Sequence, residues 1–107
     1  MPQWTKALYL AYLKSAHWKA VQRAIYRTKP LCFIHQRRCR RPEIHHLSYL
    51  NLGHESLILD GKHDLVILCR PLHYDFHAWA ERYRVQPNAG MLVLYQRDLQ
   101  FAYGFKL

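Results

Sequence analysis

Four of the eight histidines fall in a pattern that could hold and use a metal ion. His73 and His77 stand four apart in a stretch that reads as helix. Their rings therefore share one face, with Cβ atoms ~5–6 Å apart, close enough for a single ion. His45 and His46 are adjacent in a stretch that reads as strand, so their side chains point to opposite faces unless the strand is bulged or twisted. One of the two can ligate a metal while the other does something else. Imidazole suits Zn, Ni, Co or Mn and suits Ca poorly. Three histidines leave coordination positions open, which marks a catalytic rather than a structural site. On a basic protein the incoming ligand would be a phosphate oxygen, and a neutral histidine nearby could take a proton from water.

These residues need elements to bring them together, and the sequence supplies an α+β set. Residues 3 to 28 read as helix with a break near Ser15, whose hydroxyl can cap a second helix beginning at Ala16. Trp18, Val21 and Ile25 recur on one face and are expected in the core. Lys29-Pro30 ends the helix. Residues 36 to 42 read as an exposed basic loop, 43 to 49 as a short strand, and Asn51-Leu52-Gly53 and Asp60-Gly61 as turns. Asp64 to Cys69 is an apolar run and a buried strand. Pro71 suits the first turn of a helix reaching Tyr83 or Arg84. Residues 91 to 107 are ambiguous between strand and helix, and Phe101, Tyr103 and Phe105 are expected to pack on the core or on another subunit. The chain is read as one domain, 1–107: a leader (3–29), a core (about 31–85) and an extension (86–107).

Composition narrows the function. Sixteen Lys and Arg face seven Asp and Glu, a formal net charge of +9. A small basic domain of this kind gathers polyanions around it, and nucleic acid is the expected partner, double-stranded DNA first. No apolar run is long enough for a membrane span, so no membrane partner is expected. The first residues lack the pattern of a signal peptide, which points to the cytoplasm. The three cysteines, Cys32, Cys39 and Cys69, then read as reduced thiols or metal ligands rather than a disulfide framework.

Five separated elements now stand in order: His45-His46-Leu47-Ser48-Tyr49, Gly53-His54-Glu55, Asp64-Leu65, Leu68-Cys69, and His73 with His77. Tyr12-Leu13-Lys14-Ser15, Trp18 and Cys32 precede them. Together these resemble the HNH, or ββα-metal, nucleases of bacterial and phage type over about residues 12 to 77. The resemblance implies a β-hairpin plus helix core and a DNA endonuclease or nickase that leaves a 5′-phosphate and a 3′-hydroxyl. It implies His45, His73 and His77 as ligands of one divalent metal (Mg, Mn, Ni, Co or Zn), and His46 as the general base. It also implies that Asp64 orients that base through a hydrogen bond and that Glu55 is structural.

The family's second, structural zinc is held by two Cys-x-x-Cys pairs, and here the chain departs from the pattern. His35 stands in place of a cysteine after Cys32, and Leu72 replaces a ligand after Cys69. A Cys32, His35, Cys39, Cys69 zinc set is chemically reasonable. The alternative is a decayed site packed without zinc. Arg37, Arg38, Arg40 and Arg41 are expected to contact phosphate, where their forks match its oxygens. His17, His54 and His63 have no motif position and read as surface residues. A non-catalytic nucleic-acid-binding module and a toxin-like nuclease stay open as alternatives, as does action through a homodimer or a partner protein.

Overall fold

The computed structural model describes residues 5–103. Its elements are α1 (Lys6–Leu13), α2 (Ala16–Arg27), β1 (Pro42–His46), β2 (Leu65–Cys69), α3 (Arg70–Tyr83) and α4 (Ala89–Tyr103). This is a small α+β domain of four helices and a two-stranded antiparallel sheet. Residue 3, the expected start of the first helix, the Tyr103 side chain and Phe105 lie outside what is described.

The break between α1 and α2 is a capping event. The Ser15 side chain accepts a hydrogen bond from the Trp18 backbone N–H at 3.1 Å, satisfying a donor that has no partner within the helix. Thr5 does the same for Leu8 at the start of α1. At the end of α3, Arg84 turns left-handed at φ 56°, and its N–H returns to the carbonyls of Ala80 and Glu81. Pro71 sits in the first turn of α3, where its missing N–H removes no helical bond.

Strand β2 organises the core because both of its faces are buried. Val66 and Leu68 belong to one apolar cluster, with Cys32, Ile34, Leu72, Phe76, Leu92 and Tyr95. Leu65 and Ile67 belong to another, with Tyr12, Trp18, Val21 and Ile25. The alternation of a strand thus divides the molecule into an α3–α4 side and an α1–α2 side. Strand β1 pairs with β2 in register, His45 opposite Val66 and His46 opposite Leu65. The adjacent histidines are thereby delivered to opposite sides, His45 toward α3 and His46 toward α1 and α2.

Residues 89–103 form a helix, not a strand. Among its described side chains Leu92, Tyr95 and Leu99 are buried, spaced three and four apart. Tyr95 stacks on Phe76 with ring centroids 5.0 Å apart, and its hydroxyl donates to Asp75 at 2.6 Å. The Trp79 indole N–H donates to Asp98 at 2.7 Å. Phe101 is 97% exposed, so of the two expectations for it, the core or another subunit, the core is ruled out. It lies on the outward face of α4, off the buried three-and-four rhythm.

A second correction concerns the cysteines. Cys39 and Cys69 form a disulfide and Cys32 is free and buried. The basic loop folds back along the sheet, with Pro42 paired to Cys69 and the Arg70 N–H donating to the Arg41 carbonyl. That return brings the two Cα atoms to 5.2 Å, well inside bonding range. Among the described residues no helix is long and apolar enough to cross a membrane.

Candidate metal centre

His45 comes from β1, and His73 and His77 come from one face of α3. His45 Nδ1 lies 3.1 Å from His73 Nε2 and 3.2 Å from His77 Nε2, and the two helix nitrogens are 3.2 Å apart. The second nitrogen of two of these rings is already committed. His45 Nε2–H donates to the Pro87 carbonyl at 2.7 Å, and His73 Nδ1–H donates to Glu43 at 2.8 Å. Each of those rings therefore turns a lone pair inward.

Lone pairs held this close repel one another, and only His77 has a proton to offer across the group. A cation relieves the arrangement. Tetrahedral metal–nitrogen bonds of ~2.0–2.1 Å put ligand nitrogens about 3.3 Å apart, close to the spacing seen. The residues thus fit a metal ion, and the pattern of orienting partners is the usual one for metal-binding histidines. Burial pushes His45 down to about 3, with the neighbouring imidazoles adding to the shift and the Pro87 carbonyl opposing it. Burial and then His73 also hold His77 below its ordinary value. Near pH 7 the His45 and His77 rings are therefore neutral, the form a metal requires. His45 is buried, His73 half-buried and His77 exposed, so the cluster opens outward.

His46 sits on the other side of β1 but in the same cleft. The cleft, about 620 Å³, runs over the free edge of β1 and is lined by Tyr9, Trp18 and Gln22 on one flank and His73, Tyr74 and His77 on the other. The His46 ring is enclosed by aromatics, with Trp18 at 4.6 Å and Tyr9 at 5.5 Å between centroids. Its Nε2 lies 3.0 Å from Glu55 Oε2, and its Nδ1 lies 3.0 Å from the Tyr9 hydroxyl. Burial pushes the His46 ring below its ordinary value, and Glu55 pulls it part of the way back.

Asp64 does not make the hydrogen bond to His46 expected of it. Its oxygens accept from the Asn51 side-chain amide at 3.0 Å and from the Ser56 N–H at 2.8 Å. It pins both ends of the segment that carries Glu55, and Glu55 contacts the imidazole. The order of residues names two carboxylates near His46 but cannot say which one the 47–64 connection folds inward. Glu43 and the Pro87 carbonyl were not anticipated. Glu43 had a signal, since it lies two residues before His45 and hence on the same strand face. Pro87 had none, because its position depends on how α4 returns to the core.

The cysteine group also gathers. One ligand atom each from Cys32, Cys39 and Cys69 lies within 4.8 Å of the others, and His35 Nδ1 is 3.5 Å from Cys69 Sγ. The four residues of the expected zinc set are therefore adjacent, with Cys39 and Cys69 joined in the disulfide form. The molecule thus has His and Cys groups positioned to hold a metal ion. Arg37, Arg38, Arg40 and Arg41 are all exposed. Arg38 and Lys29 flank a second cleft that shares Tyr26 and Pro42 with the histidine cleft. His63 pairs with Asp60 on the surface, and His17 hydrogen-bonds the Tyr12 hydroxyl.

No family model matches this chain, and no curated protein and no solved structure matches it either.

Proposed function

We propose that this chain is a metal-dependent endonuclease of the HNH kind, a nickase or endonuclease that hydrolyses DNA phosphodiester bonds. The observation that carries the reading is the convergence of three clustered imidazoles with a fourth, carboxylate-bound histidine in one cleft. The strand–strand–helix order that presents them agrees with the resemblance in the sequence.

His45, His73 and His77 would hold one divalent ion. When bound, such an ion supplies charge stabilisation to the phosphorus oxygens and the leaving oxygen. His46, hydrogen-bonded to Glu55, is the group that accepts the proton of the attacking water. Arg38 and Lys29, which line the adjoining cleft, would contact backbone phosphates beside the scissile bond. In a reduced chain, Cys32, His35, Cys39 and Cys69 would take a structural zinc in place of the disulfide.

The test is a supercoiled-plasmid assay with protein stripped by EDTA and supplied separately with Mg, Mn, Ni, Co or Zn. Conversion to open-circular DNA is expected with at least one metal and lost in His46→Ala. DNA binding without cleavage under any metal would replace this reading with that of a non-catalytic binding module.

A further inference from the structure

The aromatic leader and the Gly53-His54-Glu55 turn have one feature in common: both close on His46. Tyr12 from α1 donates its hydroxyl hydrogen to the Glu55 carboxylate, with oxygens at 2.7 and 2.8 Å. The Gly53 N–H donates to Glu55 Oε1 at 3.0 Å. Gly53 has φ +89°, a left-handed backbone that side-chain-bearing residues rarely adopt, and it aims that N–H inward. The Glu55 side chain has no exposure to solvent. An ionised carboxylate can only accept, so His46 Nε2 must donate to it, as Tyr12 and Gly53 do.

We infer that Glu55, held by Tyr12 and Gly53, is the positioning residue that fixes His46 with its proton on Nε2 and leaves Nδ1 as the proton-accepting nitrogen. This rests on the nuclease reading for its purpose but not for its geometry. Tyr9, the other α1 tyrosine, meets Nδ1 with its hydroxyl and so marks the side of the ring that faces the proton donor. The role the sequence resemblance gave to Asp64 passes to Glu55, and Asp64 acts one step further out by anchoring Asn51 and Ser56. The helix pair preceding the sheet thereby gains a function. Its Tyr9, Tyr12 and Trp18 form the sleeve that orients the base.

Glu55→Gln is a sharp perturbation because it keeps the shape and turns one acceptor into a donor. The remaining amide oxygen would be claimed by the Gly53 N–H and the Tyr12 hydroxyl, which leaves the new NH2 group facing His46 Nε2. The ring must then accept at Nε2 and carry its proton on Nδ1, the wrong tautomer for taking a proton there. An analogous carboxylate-to-amide change beside a catalytic histidine lowers turnover severely.

Two readouts test this. Long-range proton–nitrogen NMR on the metal-free protein, at mildly alkaline pH where imidazoles are neutral, reads the His46 tautomer directly. The expected result is Nε2–H in the wild type and Nδ1–H in Glu55→Gln. In plasmid nicking, Glu55→Gln should lower kcat by about 10²–10⁴-fold, with KM within about twofold. If Glu55→Gln fails to fold, Tyr12→Phe takes its place and should lower kcat about 10-fold without moving KM. A wild-type His46 protonated on Nδ1, or a folded Glu55→Gln with unchanged kcat, overturns the inference. If the wild type nicks no DNA with any metal, the nuclease reading falls, and the NMR result alone decides the role of Glu55.

Discussion

Glu43→Gln isolates the contribution of an orienting carboxylate to the metal centre. Glu43 accepts the His73 Nδ1–H at 2.8 Å and so holds the His73 lone pair on Nε2, facing His45 and His77. A glutamine can still accept, but its neutral oxygen is a weaker acceptor and its amide can turn the wrong way. Loss of such a partner lowers metal affinity ~10–100-fold, or ~1.4–2.7 kcal/mol. At a metal concentration ~100 times the wild-type Kd, binding stabilises the wild type by about 2.7 kcal/mol. The variant, at the same concentration, would gain only about 0.4–1.4 kcal/mol. In a domain of this size 1 kcal/mol moves Tm by ~4–8 °C, so the metal-induced rise in Tm should be smaller by about 5 °C or more. Without metal the two proteins should melt close together, because the Glu43 side chain is 30% exposed and such pairs contribute ~0–1 kcal/mol. Thermal unfolding of both proteins, with chelator and with metal, measures all four values. Equal metal-induced rises in Tm would refute the reasoning that Glu43 prepares His73 as a ligand.

Three further outcomes are expected. Leu92→Ala should destabilise the protein by ~2–5 kcal/mol in urea unfolding, since Leu92 is fully buried in the α3–α4 core; a change within experimental error would mean that α4 is peripheral. In the metal-free protein, His45, His46 and His77 are all held below their ordinary value, so the folded chain binds fewer protons than the unfolded chain. The stabilising contribution of each is present above the ordinary value of 6.5 and is lost as pH falls through its own lowered value, which for His45 is about 3, by up to ~1.4 kcal/mol per pH unit for each such histidine. Urea midpoints measured across that range in chelator should therefore decline on acidification, and a rise would contradict the assigned burial. Replacing Arg37, Arg38, Arg40 and Arg41 together by alanine should weaken DNA binding. It should also flatten the plot of log K against log salt by up to ~0.9 for each phosphate no longer neutralised; an unchanged slope would place those residues away from the DNA.

The elements were legible where local chemistry decides them. Ser15 announced its cap, Pro71 its helix start, and the 64–69 run its buried strand, which the structure begins at Leu65. The four-residue spacing of His73 and His77 and the face alternation of His45 and His46 also follow from local periodicity. What could not be read depends on long-range return of the chain. The 91–95 run is apolar enough for a strand, and only packing of Leu92, Tyr95 and Leu99 against α3 selects helix. The Cys39–Cys69 pairing spans thirty residues and follows from where the basic loop meets the end of β2. The choice of Glu55 over Asp64 as partner of His46 is made by the path of the 47–64 connection, which no spacing rule describes.

The proposal stands or falls on whether one divalent metal held by His45, His73 and His77 supports DNA cleavage. The most direct measurement follows nicking of supercoiled plasmid while metal is added in stepwise equivalents to chelator-stripped protein, with ligase treatment of the product. Nicking should saturate at a single equivalent, ligase should reseal the nicks because they carry a 5′-phosphate and a 3′-hydroxyl, and His77→Ala should not nick. Nicking that persists in chelator, or that His77→Ala performs as well as the wild type, would contradict the proposal.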